Sequence, residues 1–139
     1  MILGYNTNGF AHHRLGDAIR IITELGYGGI ALTPDVHHMD PFASNETHAV
    51  DRADIEHRHL RCVIETGARF ILDPWRKHQP TLFSFREPGN GSQARMRFLM
   101  KAVRLASEML ADCVSFWSGV PTDSASPSEY MDRLVEGCK

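Results

Sequence analysis

The sequence predicts an α/β fold with a parallel sheet, because short apolar runs alternate four times with helical patterns. The runs are Ile2-Leu3-Gly4-Tyr5-Asn6-Thr7-Asn8, Gly29-Ile30-Ala31-Leu32-Thr33-Pro34-Asp35, Arg61-Cys62-Val63-Ile64-Glu65-Thr66 and Cys113-Val114-Ser115-Phe116-Trp117-Ser118. Each ends in polar residues. Parallel neighbours need a crossover of a dozen or more residues, and the helical stretches between the runs supply it. Four such units are half of a (β/α)8 barrel, a fold of about 250 residues. The 139 residues therefore read as a partial TIM barrel, one domain over 1–139, with strands in sequential order and an end where a fifth strand is due.

The elements follow in order. Leu15, Ala18, Ile19, Ile22 and Leu25 recur at helical spacing, Asp17 sits in the first turn and Gly26 supplies a stop. Strand two has a continuous apolar centre, Ile30-Ala31-Leu32, which suits a strand covered on both faces. The second helix is capped by Ser44 or Asn45 and carries a thin stripe of Ala49, Val50, Ala53 and Leu60. Two segments compete for the third strand, Arg61–Thr66 and Ala68–Leu72, of which the earlier is preferred. That choice leaves a long connection between Gly67 and Gly91, and loops beyond about 12–15 residues are often lids or binding loops. Ser92 caps the third helix, whose apolar face is Met96, Leu99, Met100, Val103, Ala106 and Leu110. Arg95, Arg97, Lys101 and Arg104 read as its solvated outer face. The last helix opens with Ser126-Pro127-Ser128-Glu129, a capping box with proline at the first helical position, and continues through Tyr130, Leu134 and Val135 to Gly137.

A net charge of -2 and a pI near 6.4 exclude general attraction to nucleic acid or anionic membranes. No apolar run reaches the ~20 residues of a membrane span, and the N-terminus lacks the basic region of a signal peptide. Cys62, Cys113 and Cys138 form no metal-type pair. Reduced thiols in a cytoplasmic protein are expected, with neither nucleic acid nor membrane as partner.

In a parallel barrel, chemistry gathers at the C-terminal ends of the strands. Asn6 and Asn8 follow strand one; Asp35, His37 and His38 follow strand two; Glu65 ends strand three; Trp117 and Ser118 end strand four. His38 is a candidate metal ligand, since neutral imidazole suits zinc or manganese. His12 and His13 carry less weight. Glu65 is the candidate catalytic carboxylate, with a structural ion pair to Arg69 or Arg76 as the alternative. The loop Leu72-Asp73-Pro74-Trp75-Arg76-Lys77-His78-Gln79-Pro80 groups cationic side chains with a carboxylate and an aromatic ring. Guanidinium and ammonium groups suit phosphate or carboxylate, and Trp75 or Trp117 can cover a sugar's apolar face. Gly89-Asn90-Gly91 lacks the spacing of a phosphate-cradling loop and reads as a turn.

Gly4-Tyr5-Asn6-Thr7-Asn8-Gly9-Phe10, then Gly26-Tyr27-Gly28-Gly29-Ile30-Ala31-Leu32-Thr33 with Asp35-Val36-His37-His38, resemble the opening of a xylose isomerase-like TIM barrel. Glu65-Thr66-Gly67-Ala68-Arg69-Phe70-Ile71-Leu72-Asp73-Pro74, Arg76-Lys77-His78 and Phe116-Trp117-Ser118-Gly119 turn the resemblance toward sugar phosphate isomerases and epimerases, over the N-terminal half only. The resemblance implies a divalent metal (Mn, Mg, Zn or Co) that polarises sugar oxygens while acidic residues move a proton. It places the main ligands on later strands, so no tight metal binding by this chain and no turnover by it alone are expected. It leaves Glu65 as catalytic, with Asn6, Asp35, His38, Asp73, Arg76, Lys77, His78 and Trp117 facing a sugar or sugar phosphate. The alternatives are a metal-dependent phosphodiesterase of the abasic-site endonuclease type and a non-catalytic half-barrel that folds by self-association. A nucleotide-binding doubly wound domain is a weaker alternative, because Asn6-Thr7-Asn8-Gly9-Phe10 lacks the dinucleotide glycine pattern. Open barrel edges, and inner-face residues Leu32, Val63, Val114 or Phe116, are expected to promote self-association.

Overall fold

The computed structural model describes residues 1–34, 37–43, 45–84 and 91–139, with the side chain of Asn45 outside the description. Asp35, Ser44 and the Gly89-Asn90 turn lie outside the described residues. Four strands, β1 (Gly4–Asn6), β2 (Gly29–Leu32), β3 (Arg61–Glu65) and β4 (Cys113–Ser115), pair in parallel in the order β1-β2-β3-β4. This is the sequential order of a partial TIM barrel. Helices α1 (Leu15–Glu24), α2 (Asn45–His57), α3 (Gly91–Glu108) and α4 (Pro127–Gly137) follow the strands in turn. The chain forms two compact units. The first is residues 1–67 with 101–116 and holds the whole sheet; the second is residues 68–100 with 117–139.

The strands are shorter than the apolar runs. β1 stops at Asn6, whose side chain accepts from the Asn8 amide and opens a 3-10 turn over Thr7–Phe10. β3 takes the earlier segment, while Ile71 N donates to Ala68 O in a turn. Past the strands, three buried threonines extend the ladder. The Thr33 amide donates to Thr7 Oγ1 at 3.1 Å, and Thr66 donates through both N and Oγ1 to Ser115 O, each at 3.0 Å.

Register divides the sheet into two faces. Ile30, Leu32, Cys62 and Ile64 pack beneath Leu15, Ile19 and Ile22 of α1, Ile55 of α2, and Ala102, Leu105 and Ala106 of α3. Burial there pushes the Cys62 thiol up to about 12, so it is a protonated core residue. On the opposite face, Asn6, Ala31, Val63 and Cys113 form one row across the sheet. Leu32 and Val114 therefore belong to the helix-covered side, since Leu32 is fully buried and Val114 packs on the core. Val63 keeps the expected place on the open face, in a half-buried position, and Phe116, past the end of β4, is exposed.

Three helices feed their strands through the same turn. Tyr27 N donates to Ile22 O, Leu60 N to Ile55 O and Ala111 N to Ala106 O, each bond spanning five residues. In each turn a left-handed residue precedes the donor: Gly26 at φ 80°, His59 at 56° and Leu110 at 51°. Such a turn satisfies the helix's last carbonyls. Glycine adopts it without strain, whereas a residue with a Cβ is strained by about 1–2 kcal/mol.

Two predicted helix faces need correction. On α2, Ala49, Val50 and Ala53 are exposed, and the inward side chains are His48 and Ile55. On α3, Met100, Val103 and Leu110 are exposed, while Phe98, Ala102, Leu105, Ala106 and Met109 are buried. Leu110 lies past the helix end. Arg95, expected on the solvated face, is fully buried and donates from Nη2 to Trp117 O at 2.7 Å. Ser92 is buried within the first turn of α3 rather than preceding the helix.

In the second unit, the capping box forms as expected, with Ser126 Oγ accepting from Glu129 N at 3.2 Å. One turn on, Arg133 ties this helix to its neighbours. Its guanidinium reaches both oxygens of Asp123 (3.1 and 2.9 Å), Glu129 Oε1 (2.6 Å) and Phe83 O (3.2 Å). Gly119, at φ 91°, lets the chain pass Thr81 where a Cβ would lie 2.2 Å from its methyl carbon.

Two substitutions test this architecture by urea unfolding. Leu110→Gly should raise stability by up to about 1 kcal/mol, because a strained, exposed leucine is replaced by the residue the turn favours. Ile55→Ala should cost about 2–5 kcal/mol, whereas Val50→Ser should change stability by no more than about 0.5 kcal/mol. Equal losses at Ile55 and Val50 would contradict the observed α2 face.

Candidate functional site

The first unit presents a concave open face whose C-terminal strand ends carry Asn6 and Glu65. Glu65 is the last residue of β3, in register with Ser115 and partly exposed on the same side as Val63. Asn6 shares that face two strands away, about 10 Å across the sheet from β3 at the usual strand spacing. Its carboxamide oxygen accepts from Thr33 Oγ1 and from Asn8 N, both at 2.8 Å, which leaves the NH2 group as its donor to a ligand.

His38 is buried, with Nε2 2.9 Å from Phe10 O and 3.1 Å from His13 O. Two carbonyl neighbours place the proton on Nε2, so any ligand role falls to Nδ1. His13 packs its ring against Phe10. Among the described residues, no group of three or more His, Cys, Asp or Glu side chains is arranged to hold a metal ion.

A cavity of about 650 Å³ opens on this face, lined by Gly4, Gly29, Ala31, Val63, Arg61 and Asp112 among others. It reaches the N-terminal ends of the strands, where Arg61 grips Asp112 through Nε (2.8 Å) and Nη2 (2.6 Å). That pairing raises the arginine's pKa and holds the Asp112 carboxyl below its ordinary value. In a closed barrel such a volume is filled by inward side chains, and chemistry lies at the other end. Sequence reasoning missed the Arg61–Asp112 fork, since its partners lie on different strand entries with no local motif.

The second unit holds the loop candidates, which the structure sorts into two pairs. Asp73 Oδ1 accepts from the amides of Trp75 (2.8 Å) and Arg76 (3.0 Å), and its Oδ2 accepts from Arg76 Nε at 2.7 Å. The Trp75 amide and then the Arg76 guanidinium hold this carboxyl below its ordinary value. Arg76 and Asp73 thus engage each other. His78 packs edge-on against Trp117 at 4.6 Å between ring centres, and its Nδ1 accepts from the Arg69 amide at 3.0 Å. A ring that accepts at Nδ1 carries its proton at Nε2 and is neutral. Burial lowers its pKa, and the charges of Lys77, Arg95 and Arg69 add to this. Trp75 is 89% exposed, and Trp117 is the half-covered ring of the two. The loop is therefore less cationic than its sequence: Arg76 is paired, His78 is neutral and Lys77 is the exposed cation.

Two solved structures share this architecture. D-psicose 3-epimerase in the presence of D-fructose matches with a TM-score of 0.69 and 16% identity, over 99% of this chain and 46% of that one. The chain has the fold of a partial TIM barrel. D-psicose 3-epimerase with D-tagatose from Clostridium cellulolyticum H10 matches with a TM-score of 0.67 and 13% identity, over the same shares of each chain. This chain thus spans about half the length of the solved structures it matches. No family model and no curated protein matches its sequence.

His78 offers a direct test. Its folded-state pKa lies below the ordinary 6.5, so the unfolded chain takes up the proton first as pH falls. The stability involved is present above about 6.5 and is lost as pH falls through that value toward the folded pKa. Imidazole-tuned ¹H–¹⁵N spectra should show the Nε2–H tautomer and a midpoint below 6.5. A midpoint at or above 6.5 would contradict the Arg69 hydrogen bond.

Proposed function

We propose that this chain is the substrate-side half of a metal-dependent sugar or sugar-phosphate isomerase or epimerase of the cytoplasm, inactive by itself. The observation that carries the reading is Glu65 at the C-terminal end of an inner strand face in a half-barrel. The likeness to epimerase structures determined with D-fructose and D-tagatose supports it. Free Cys62, Cys113 and Cys138 agree with a reducing compartment, and no helix among the described residues is long and apolar enough to cross a membrane.

Glu65 accepts a hydrogen bond from a sugar hydroxyl and relays a proton to or from it. Within the same unit, the Asn6 NH2 group is a neutral donor for another hydroxyl. The second unit, taken by itself, offers the His78 Nε2–H as a neutral donor, the Trp117 ring as an apolar face for sugar C–H groups and Lys77 as positive charge for a phosphate. The described residues do not make a metal site. In this reading His38 is at most one ligand through Nδ1, and the remaining ligands come from outside these residues. The open edges of β1 and β4 and the small side chains of the concave face favour self-association when nothing else covers them.

In a protein that carries this chain and turns over ketoses, Glu65→Gln should lower kcat/KM by about 100-fold or more, the usual range for a lost acid or base. Lys77→Ala should act mainly on phosphorylated substrates. Metal content by elemental analysis should stay unchanged in both. Metal loss in Glu65→Gln, or full turnover by that variant, would sink the assignment.

A further inference from the structure

On the helical side of the first unit, a separate cleft of about 260 Å³ is lined by Pro41, Ala43, His48, Lys101, Arg104, Leu105 and Glu108. We infer that this cleft binds a small phosphate-class dianion, held by Lys101 and Arg104. The inference does not depend on the proposed isomerase reading.

Positions 101, 104, 105 and 108 lie three and four apart on α3 and share one face of it. The polar groups on the floor of the cleft are already engaged. His48 is 4% exposed, with Nδ1 3.1 Å from Glu108 Oε2 and Nε2 3.3 Å from Asp40 O. Both ring nitrogens lie within reach of acceptors, so the Glu108 carboxylate is already engaged by the imidazole. The Glu108 carbonyl, at the negative end of the helix, receives Arg52 Nη1 at 3.2 Å.

Burial raises the pKa of Asp51, and Arg52 also pairs loosely with Glu56 at 3.9 Å. Lys101 and Arg104 remain exposed, and neither has an ion-pair partner among the described residues. An ammonium beside a guanidinium fork suits a tetrahedral oxyanion. The volume falls below the ~300–1,000 Å³ of pockets for drug-sized ligands. This fits inorganic phosphate or a small phosphomonoester.

The test is a ¹H–¹⁵N titration of the chain with inorganic phosphate, and separately with a ketose monophosphate, read at the amides of Lys101, Arg104 and His48. Saturable binding should appear, should survive Lys101→Arg and Lys77→Gln, and should weaken at least about tenfold in K101Q/R104Q, which removes both charge-assisted contacts. Equal affinity for both ligands would identify free phosphate as sufficient; tighter ketose phosphate binding with the same loss in K101Q/R104Q would identify the ester. Linear, non-saturating shifts, or binding undiminished in K101Q/R104Q, would overturn the site. Perturbation of Glu65 or Trp117 by an unphosphorylated ketose is read apart from these signals and bears only on the isomerase reading.

Discussion

In a parallel sheet, residues paired across strands lie on one face, so the register Asn6–Ala31–Val63 decides what every neighbouring residue can do. It sends Ile30, Leu32, Cys62 and Ile64 under the helices and leaves the alternate row open. It also carries Glu65 onto the open face at the strand ends, where a barrel places its chemistry. A slip of one residue would exchange the two rows and put Glu65 into the core. The repeated helix-end turn guards against that slip. The same five-residue bond admits β2, β3 and β4, and the ladder then pairs Gly29 with Arg61 and Val63 with Cys113.

The second unit works by pairing rather than by a broad apolar core. Arg133 collects Asp123, Glu129 and Phe83 O, while Arg95 holds the Trp117 carbonyl from a fully buried position. Burial draws the Arg95 pKa down to about 10, a measure of how poorly water reaches it. Fixing the Trp117 backbone steadies the ring against which His78 rests. Asp73 meanwhile turns its own loop by accepting from the two amides that follow. These contacts convert a stretch that looks strongly basic into one with a neutral imidazole, a half-covered indole and one exposed ammonium group.

Much of the fold was legible in the sequence because it rests on local signals. The four apolar runs, the Asp17 to Gly26 helix and the Ser126 capping box each reflect chemistry within a few residues. Strand order followed from the spacing between runs. What stayed hidden depends on partners far along the chain. α3 carries two competing apolar stripes, and only packing on the sheet selects Ala102, Leu105 and Ala106 over Val103. Arg95 looked solvated because a buried arginine is announced only by its tertiary partner. Leu110 looked like a helix residue because nothing local marks a leucine for the left-handed position where Gly26 is evident. The apolar runs were enough to put Asn6 and Glu65 at the ends of β1 and β3, but the tautomer of His78 and the Asp73–Arg76 pairing required the folded loop.

The central claim is that the strand ends carrying Glu65 meet a sugar. The most direct measurement is mapping of amide chemical shifts while D-fructose or D-tagatose is titrated into the chain. The account predicts saturable changes at Asn6 and Glu65, with Arg61 and Asp112 unmoved. Changes centred on Arg61 and Asp112, or none at Glu65 at saturating ketose, would contradict it.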